Sequence, residues 1–180
     1  MKTLIIGGTG SVGSLVVKEL VERGADLRIL ARESSNITGL PNNVGIARGD
    51  LLDIPSVERA FDGVDSVYLL NGVVPDELTQ ALVVFNLAVQ KEVAHFVYHS
   101  VFQSERFPGV PHFASKAAVE LAIRQSGLSY TILKPNYFPE RRDAAAGDPG
   151  LWRLSHASGP RRHFSGGHSR HRRAHGRRAH

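Results

Sequence analysis

The chain has 180 residues, 42% of them hydrophobic, which is the size and composition of one globular domain. It contains no cysteine, so disulfides, thiolate nucleophiles and cysteine-ligated metals are excluded. No apolar run reaches the roughly 18 residues of a membrane-spanning helix, and the apolar start LIIGG is too short for a signal peptide. The sequence therefore predicts a cytoplasmic protein with no membrane partner.

The net charge of +5 is distributed unevenly along the chain. Residues 141–180 hold ten arginines and two aspartates and so carry +8, which leaves −3 on residues 1–140. The high isoelectric point therefore describes the end of the chain and not a basic face of the folded part. Nucleic-acid binding through these arginines is the least favoured of three functional hypotheses.

Short β-branched runs alternate with amphipathic stretches through the first 140 residues. This pattern predicts an α/β domain with a doubly wound, mainly parallel sheet, the Rossmann fold. The predicted strands are residues 2–6, 27–31, 44–48, 65–70, 95–99 and 129–134. The predicted helices are residues 11–23, 55–61, 76–91 and 112–126, and Pro55 suits the first turn of the second helix.

A glycine-rich turn joins the first predicted strand to the first predicted helix. Its sequence is Gly7-Gly8-Thr9-Gly10-Ser11-Val12-Gly13. Glycine lets the backbone turn sharply and approach a pyrophosphate, and the N-terminus of the helix favours its negative charge. We expect Gly7, Thr9, Gly10, Ser11, Val12 and Gly13 to bind a dinucleotide; the alternative is a plain tight connection.

The residues after the second strand distinguish the two nicotinamide dinucleotides. A carboxylate there would hold the ribose 2′-hydroxyl of NAD, whereas a basic residue would accept the 2′-phosphate of NADP. Arg32 follows this strand, with Ser34 and Ser35 as further donors, so the sequence favours NADP(H). NAD(H) stays possible because Glu33 is adjacent, and a solvated pair of Arg32 and Glu33 is the alternative without a ligand.

Several further motifs resemble the NmrA-like group of atypical short-chain dehydrogenases/reductases. They are GGTGSVG, Arg32, GDL at 49–51, HFVYHSV at 95–101, HFASKAAVE at 112–120 and GLSYTILKPNYF at 127–138. The resemblance covers about residues 2–140. It implies an NADPH-dependent oxidoreductase acting on a small quinone or carbonyl-like acceptor. The alternative is a non-catalytic NADP(H) redox sensor acting through a protein partner, because the group also contains such members.

The same resemblance implies roles for individual residues at the strand ends. Asp50 would accept the adenine amino group, with Leu51 beside it, although a turn or cap carboxylate is the alternative for Asp50. Leu70, Asn71 and Gly72 would pass under the ribose. Ser100 and Val101 would line the nicotinamide end of the site. Four residues would face the nicotinamide ring: Pro135, Asn136, Tyr137 and Phe138.

Lys116 and His112 are the candidate catalytic residues. Common short-chain reductases carry Tyr-x-x-x-Lys on a helix, where the lysine holds the nicotinamide ribose and lowers the pKa of the proton-donating tyrosine. His112 stands at the tyrosine position, a departure that is usual in the NmrA-like group. Lys116 is then a cofactor anchor or else a surface lysine, and His112 a proton donor or a polar cap. The histidines lack metal-ligand spacing, so no metal site is predicted.

Residues 141–180 lose the apolar periodicity of the preceding 140 and contain no valine or isoleucine. We expect a disordered basic tail outside a Rossmann domain of residues 1–140. The resembled family continues instead into a substrate-binding lobe with a V-D-x-R-D-I-A-like segment. Codons can be chosen for residues 166–176 so that a frame shifted by one nucleotide encodes that segment. We therefore expect a frame-shifted tail, a truncated protein and weak or absent turnover.

Overall fold

A computed structural model of the chain describes residues 1–136. The predictions for Tyr137, Phe138 and the tail at 141–180 lie outside the described residues. The strands are β1 (Lys2–Ile6), β2 (Asp26–Ala31), β3 (Gly45–Arg48), β4 (Ser66–Leu69), β5 (His95–His99) and β6 (Tyr130–Leu133). The α-helices are α1 (Ser11–Glu22), α2 (Ile54–Ala60), α3 (Glu77–Gln90) and α4 (Pro111–Gln125).

The described strands form one parallel sheet in the order β3-β2-β1-β4-β5-β6. This confirms the predicted doubly wound α/β class. In β1, Ile6 lies beside Leu30 of β2 on one side and Leu69 of β4 on the other. The strand order reverses between β1 and β4, and ligands of such sheets bind in the crevice outside the carboxyl ends at that point.

The apolar core lies in two layers, one on each face of the sheet. Leu4 and Ile6 of β1 belong to the layer under α2, α3 and α4, whereas Ile5 packs with Val17 of α1 in the other layer. Successive side chains of a strand point to opposite faces. Both faces are covered here, which explains why β1 ends in a continuous apolar run rather than an alternating pattern.

The element boundaries differ from the predicted ones by at most one residue. The sequence pattern did not predict the 3₁₀ turn at Ser104–Arg106, which follows Gln103 in the left-handed region at φ 54°. A three-residue turn carries no periodicity that could reveal it. Within residues 1–136, no helix is both long enough and apolar enough to cross a bilayer.

Candidate functional site

The carboxyl ends of all six strands bring the sequence-predicted site residues to one edge of the sheet. Adjacent strands lie about 4.8 Å apart, so these residues form a row along that edge. From β3 to β6 the row runs Asp50, Arg32, Gly7, Asn71, Ser100 and Pro135. The segments implied to contact adenine, pyrophosphate and nicotinamide therefore follow one another in that order.

The glycine turn after β1 has room for side chains at only some of its positions. Gly7 has φ +85°, and a Cβ on it would lie 1.9 Å from the carbonyl oxygen of Leu70. A Cβ on Gly13 would lie 2.0 Å from the carbonyl oxygen of Gly7. These two glycines are required by the packing of the turn itself. At Gly10 the nearest atom would be 3.4 Å away, so packing does not demand a glycine there.

The helix that follows the turn begins without a side-chain cap. Gly10 is the N-cap of α1; among residues 1–136 no side chain caps this end of the helix, and its first turn carries no acidic residue. The first N–H groups of a helix have no partner within the helix, and their dipoles attract an anion. A glycine at this position of a dinucleotide-binding turn lets the backbone approach the pyrophosphate, and packing gives no other reason for Gly10. The turn therefore fits the pyrophosphate of a dinucleotide.

A cleft of about 610 Å³ lies at the carboxyl ends of β2 and β3. Its lining residues are Arg32, Glu33, Ser34, Arg48, Gly49, Asp50, Asp53, Ser56 and Arg59. The sequence interpretation identified Arg32, Ser34 and Asp50 but missed Arg48 and Arg59. Arg48 ends an edge strand and Arg59 lies on α2, and no motif marks either position as part of a site.

The three arginines of this cleft form no ion pair with any carboxylate of residues 1–136. Arg48 donates from Nη1 to the backbone carbonyl of Arg32 at 2.7 Å, which fixes the guanidinium beside Arg32. In the described part of the chain, no carboxylate oxygen lies within 4.0 Å of Arg32, Arg48 or Arg59. Their charges are therefore available to an anionic ligand.

Asp50 takes part in the turn that follows β3. One carboxylate oxygen accepts a hydrogen bond from the Leu52 N–H at 2.9 Å, and the Asp50 N–H donates to Ser56 Oγ at 3.1 Å. The turn interpretation of this carboxylate therefore has support. Asp50 is exposed and lines the cleft, so the same side chain remains within reach of an adenine.

Lys116 is buried, so the surface alternative for it is wrong. Its side chain is 3% exposed and its Nζ lies 3.1 Å from Glu77 Oε1. The ammonium also donates to Asn71 Oδ1 at 3.2 Å and to the His99 carbonyl at 3.1 Å. Burial lowers the pKa of Lys116, and the Glu77 carboxylate offsets part of that change. The lysine is thereby held under the loop that follows β4.

Glu77 links Lys116 to His112, and the sequence interpretation did not identify it. Its Oε2 lies 2.7 Å from His112 Nδ1, while its Oε1 faces Lys116. Asn71 Nδ2 donates to the Glu77 backbone carbonyl at 2.9 Å. An acidic residue in the first turn of a helix is ordinary, so the sequence contained no signal that this one is buried between two candidate catalytic side chains.

The backbone of Ser100 lies at the carboxyl edge of the sheet, while its side chain is directed toward the buried Glu120. The hydroxyl donates to Glu120 Oε1 at 2.5 Å, and Ser104 donates to the same oxygen at 2.7 Å. Lys134 and Arg124 pair with Glu120 Oε2. Burial raises the pKa of Glu120, but the hydrogen bonds from these four side chains outweigh it and lower the pKa overall. The buried Glu120 thus joins the segments that follow β5 and β6.

The three histidines of the described region have separate environments. His99 Nδ1 and the Tyr68 hydroxyl share a hydrogen bond of 2.8 Å. Burial, with a smaller effect of the Lys116 charge, lowers the pKa of His99 to about 4, and burial raises the pKa of Tyr68 to about 12. His95 hydrogen-bonds Ser129 and Thr131. Residues 1–136 contain no group of three potential ligands for a metal ion.

Comparison with known proteins adds a family and several relatives. The NmrA-like family matches residues 1–141. The NAD(P)H azoreductase of Xenophilus azovorans is 28% identical over 136 residues, which cover 75% of this chain and 48% of that protein. The photosystem II assembly factor Ycf39 of Cyanophora paradoxa is 27% identical over 143 residues, which cover 74% of this chain and 44% of that protein.

Among solved structures, the triphenylmethane reductase of Citrobacter sp. complexed with NADP(H) superimposes with a TM-score of 0.64 and 26% identity. The match covers 73% of this chain and 48% of that one. The chain spans about half the length of the curated relatives it matches.

Proposed function

Because the chain belongs to the NmrA-like family of NAD(P)-binding Rossmann proteins, we propose that it is an NADPH-dependent oxidoreductase acting on a small quinone or carbonyl-like acceptor. The observation that carries the proposal is the row of complementary groups along one sheet edge: unpaired arginines, an uncapped helix N-terminus and a buried lysine. When bound, the reduced nicotinamide supplies a hydride. The residues of this chain would bind and orient the cofactor and the acceptor, and they would exchange protons with the acceptor.

The arginines of the cleft support NADP(H) over NAD(H). A guanidinium is charged at every relevant pH and matches a phosphate with two parallel hydrogen bonds. Arg48 is held by the backbone carbonyl of Arg32, and the side chains of Arg32 and Arg59 line the same cleft. Three carboxylates in the same lining oppose the preference with their negative charges, those of Glu33, Asp50 and Asp53. The Citrobacter reductase, which was crystallised with NADP(H), agrees with this direction.

Lys116 is the proposed anchor of the nicotinamide ribose. Its ammonium has three N–H donors and three acceptors within reach, on Glu77, Asn71 and His99. A ribose hydroxyl would replace one of the two neutral acceptors and keep the ammonium next to Glu77. Ser100, Val101, Pro135 and Asn136 follow β5 and β6 and would flank the nicotinamide.

An aromatic surface beside His112 favours a flat, apolar acceptor. Phe107 and Phe113 pack edge to face with their ring centroids 5.3 Å apart. Phe102 and Phe107 are 43% and 44% exposed, and a quinone ring would cover such surface favourably. The relative from Xenophilus azovorans is itself named as a reductase, an NAD(P)H azoreductase, which is consistent with an oxidoreductase.

The second candidate is a dinucleotide-binding sensor without turnover. The observation that favours it is the similarity to an assembly factor, whose name describes no reaction. Oxidation of NADPH by menadione, a small quinone, separates the two candidates. Oxidation of NADPH that depends on the quinone would support the oxidoreductase, whereas NADPH binding without any oxidation would support the sensor.

Calorimetry with NADPH and NADH tests the cofactor preference. We expect NADPH to bind at least about tenfold more tightly, equivalent to about 1.4 kcal/mol, and Arg32→Glu to abolish the difference. Arg23→Glu is the matched control, because it makes the same charge change at an exposed arginine paired with Glu19. Equal affinities in the unmodified chain, or an unchanged preference in Arg32→Glu, would show that the 2′-phosphate is not held there.

A further inference from the structure

We infer that Glu77 is the positioning residue of the nicotinamide end. One carboxylate oxygen holds the Lys116 ammonium and the other holds the His112 imidazole, which leaves Nε2 of His112 as the atom that donates a proton to the acceptor. The inference rests on the proposed function, because a proton is needed only if the chain reduces an acceptor.

The bond between Glu77 and His112 determines which imidazole nitrogen is free. An ionised carboxylate accepts hydrogen bonds and cannot donate them. With Oε2 at 2.7 Å from Nδ1, the proton of this bond therefore belongs to Nδ1. The neutral imidazole then has its lone pair on Nε2, and the protonated imidazole has a donor there. Catalytic triads use a carboxylate in the same way to hold an imidazole in one tautomer.

The carboxylate is itself held tightly between the two helices. The Glu77 side chain is 4% exposed. Its N–H donates to the Val74 carbonyl at 3.1 Å, and its carbonyl accepts from Asn71. His112 and Lys116 lie four residues apart on α4 and so share one face of that helix. One carboxylate at the start of α3 thus reaches both members of the pair.

A purely structural role explains only half of this arrangement. Burying the Lys116 charge requires an opposite charge nearby, and Glu77 Oε1 provides it. His112 is 25% exposed, so its imidazole has access to water and does not need a buried partner. The second oxygen nevertheless faces its Nδ1. The contact between Glu77 and His112 therefore serves to orient the imidazole.

The proposed step balances as a two-electron reduction. With reduced nicotinamide bound, the acceptor would take up a hydride at its electrophilic carbon and a proton at its oxygen, and the nicotinamide would be left oxidised. That proton leaves His112 Nε2: the N–H bond breaks, an O–H bond forms, and the imidazole becomes neutral with its remaining proton on Nδ1 facing Glu77. Water then returns a proton to Nε2, which the partial exposure of His112 permits.

Nuclear magnetic resonance of ¹⁵N-histidine in the full chain with NADPH bound tests the tautomer. At mildly alkaline pH, where an ordinary imidazole is neutral, we expect His112 to carry its proton on Nδ1, with His112→Gln identifying its signals. Glu77→Gln is expected to shift the proton toward Nε2, because a carboxamide can donate to Nδ1. Asp76→Asn, one residue earlier and paired with Gln80, is the matched control and should leave the tautomer unchanged.

Single-turnover oxidation of bound NADPH by menadione tests the chemical role. We expect His112→Gln and Glu77→Gln each to slow it at least about tenfold, and the double variant to be no slower than His112→Gln alone, because residues that act as a unit are not additive. Additive losses, or an unmodified rate in His112→Gln, would overturn the inference while leaving the proposed oxidoreductase intact.

A His112 proton on Nε2 in the unmodified chain would overturn the inference as well, and this result needs no variant to fold. Failure of the unmodified chain to bind NADPH would instead refute the proposed function. If NADPH binds but menadione never oxidises it, both the proton-donor role of His112 and the proposed oxidoreductase function are refuted. The sensor is then favoured.

Discussion

The two ends of the candidate site are built in opposite ways. The pyrophosphate cradle consists of consecutive residues, Gly7 to Gly13, and presents backbone N–H groups. The nicotinamide end consists of side chains from three separate segments, and its Lys116–Asn71 hydrogen bond joins residues 45 positions apart. A site made of backbone depends on local conformation, whereas a site made of side chains depends on the packing of distant elements.

This difference also predicts how each end fails. The cradle contains no titratable side chain, so it is sensitive to added atoms and insensitive to pH. The nicotinamide end contains a buried lysine, a buried glutamate and a half-buried histidine bonded to Tyr68, so it is sensitive to charge. Added atoms and altered charges are therefore expected to damage different ends of the site.

The largest effect is expected from a side chain at Gly13. In Gly13→Val even the Cβ would lie 2.0 Å from the Gly7 carbonyl oxygen, so the turn must move, and overpacking of this kind costs about 3 kcal/mol or more. Urea unfolding and NADPH calorimetry should show loss of both stability and binding. Stability unchanged in Gly13→Val would mean that the cradle tolerates atoms that the structure excludes.

Gly10→Ala is the control for that prediction. Its Cβ would have 3.4 Å of clearance, so the free energy of unfolding should change little. NADPH affinity should still fall about tenfold, because the methyl group enters the space that the pyrophosphate would occupy. Unchanged affinity in Gly10→Ala would show that the ligand does not approach the backbone at this position.

A smaller effect is expected from acid at the nicotinamide end. The pKa of His99 is lowered to about 4 in the folded chain. As the pH falls through about 6.5, this histidine is therefore protonated in the unfolded chain but stays neutral in the folded chain. The free energy of unfolding should be level above about pH 6.5 and fall by up to about 2 kcal/mol toward pH 4, with allowance for partial solvent screening. Urea titrations across this range measure it.

His99→Gln should flatten the stability profile between about pH 6.5 and 4.5. His95→Gln, at a histidine bonded to Ser129 and Thr131, should leave the slope in place. Below that range both variants should still lose stability, because the lowered pKa of Glu120 means that its contribution disappears when the carboxylate is protonated. If the slope of the free energy of unfolding against pH persists in His99→Gln, another titratable group causes it.

The smallest effect is expected from removing residues 141–180. We propose that these residues take no part in dinucleotide binding, because the cradle, the arginine cleft and the Lys116 cluster all lie within residues 1–136. Calorimetry on the shortened chain should give the NADPH affinity of the full chain. A weaker affinity, or salt-dependent DNA binding that disappears with the deletion, would give the basic segment a role.

The sequence by itself determined the features that depend on neighbouring residues. Apolar periodicity located all six strands and four α-helices of the described region to within one residue. The glycine spacing located the cradle, because a positive φ at Gly7 and the close contact at Gly13 are demands on single residues. Arg32 could be identified because it directly follows a recognisable strand.

Only the tertiary structure decided which side chains meet. It buried Lys116, placed Glu77 between that lysine and His112, turned the Ser100 hydroxyl toward Glu120, and brought Arg48 to Arg32. Electrostatic and hydrogen-bond energies depend on separations of a few ångströms and on burial. For residues far apart in the chain, the order of the strands and the packing of α3 against α4 set both the separation and the burial. No local pattern in the sequence determines either of them.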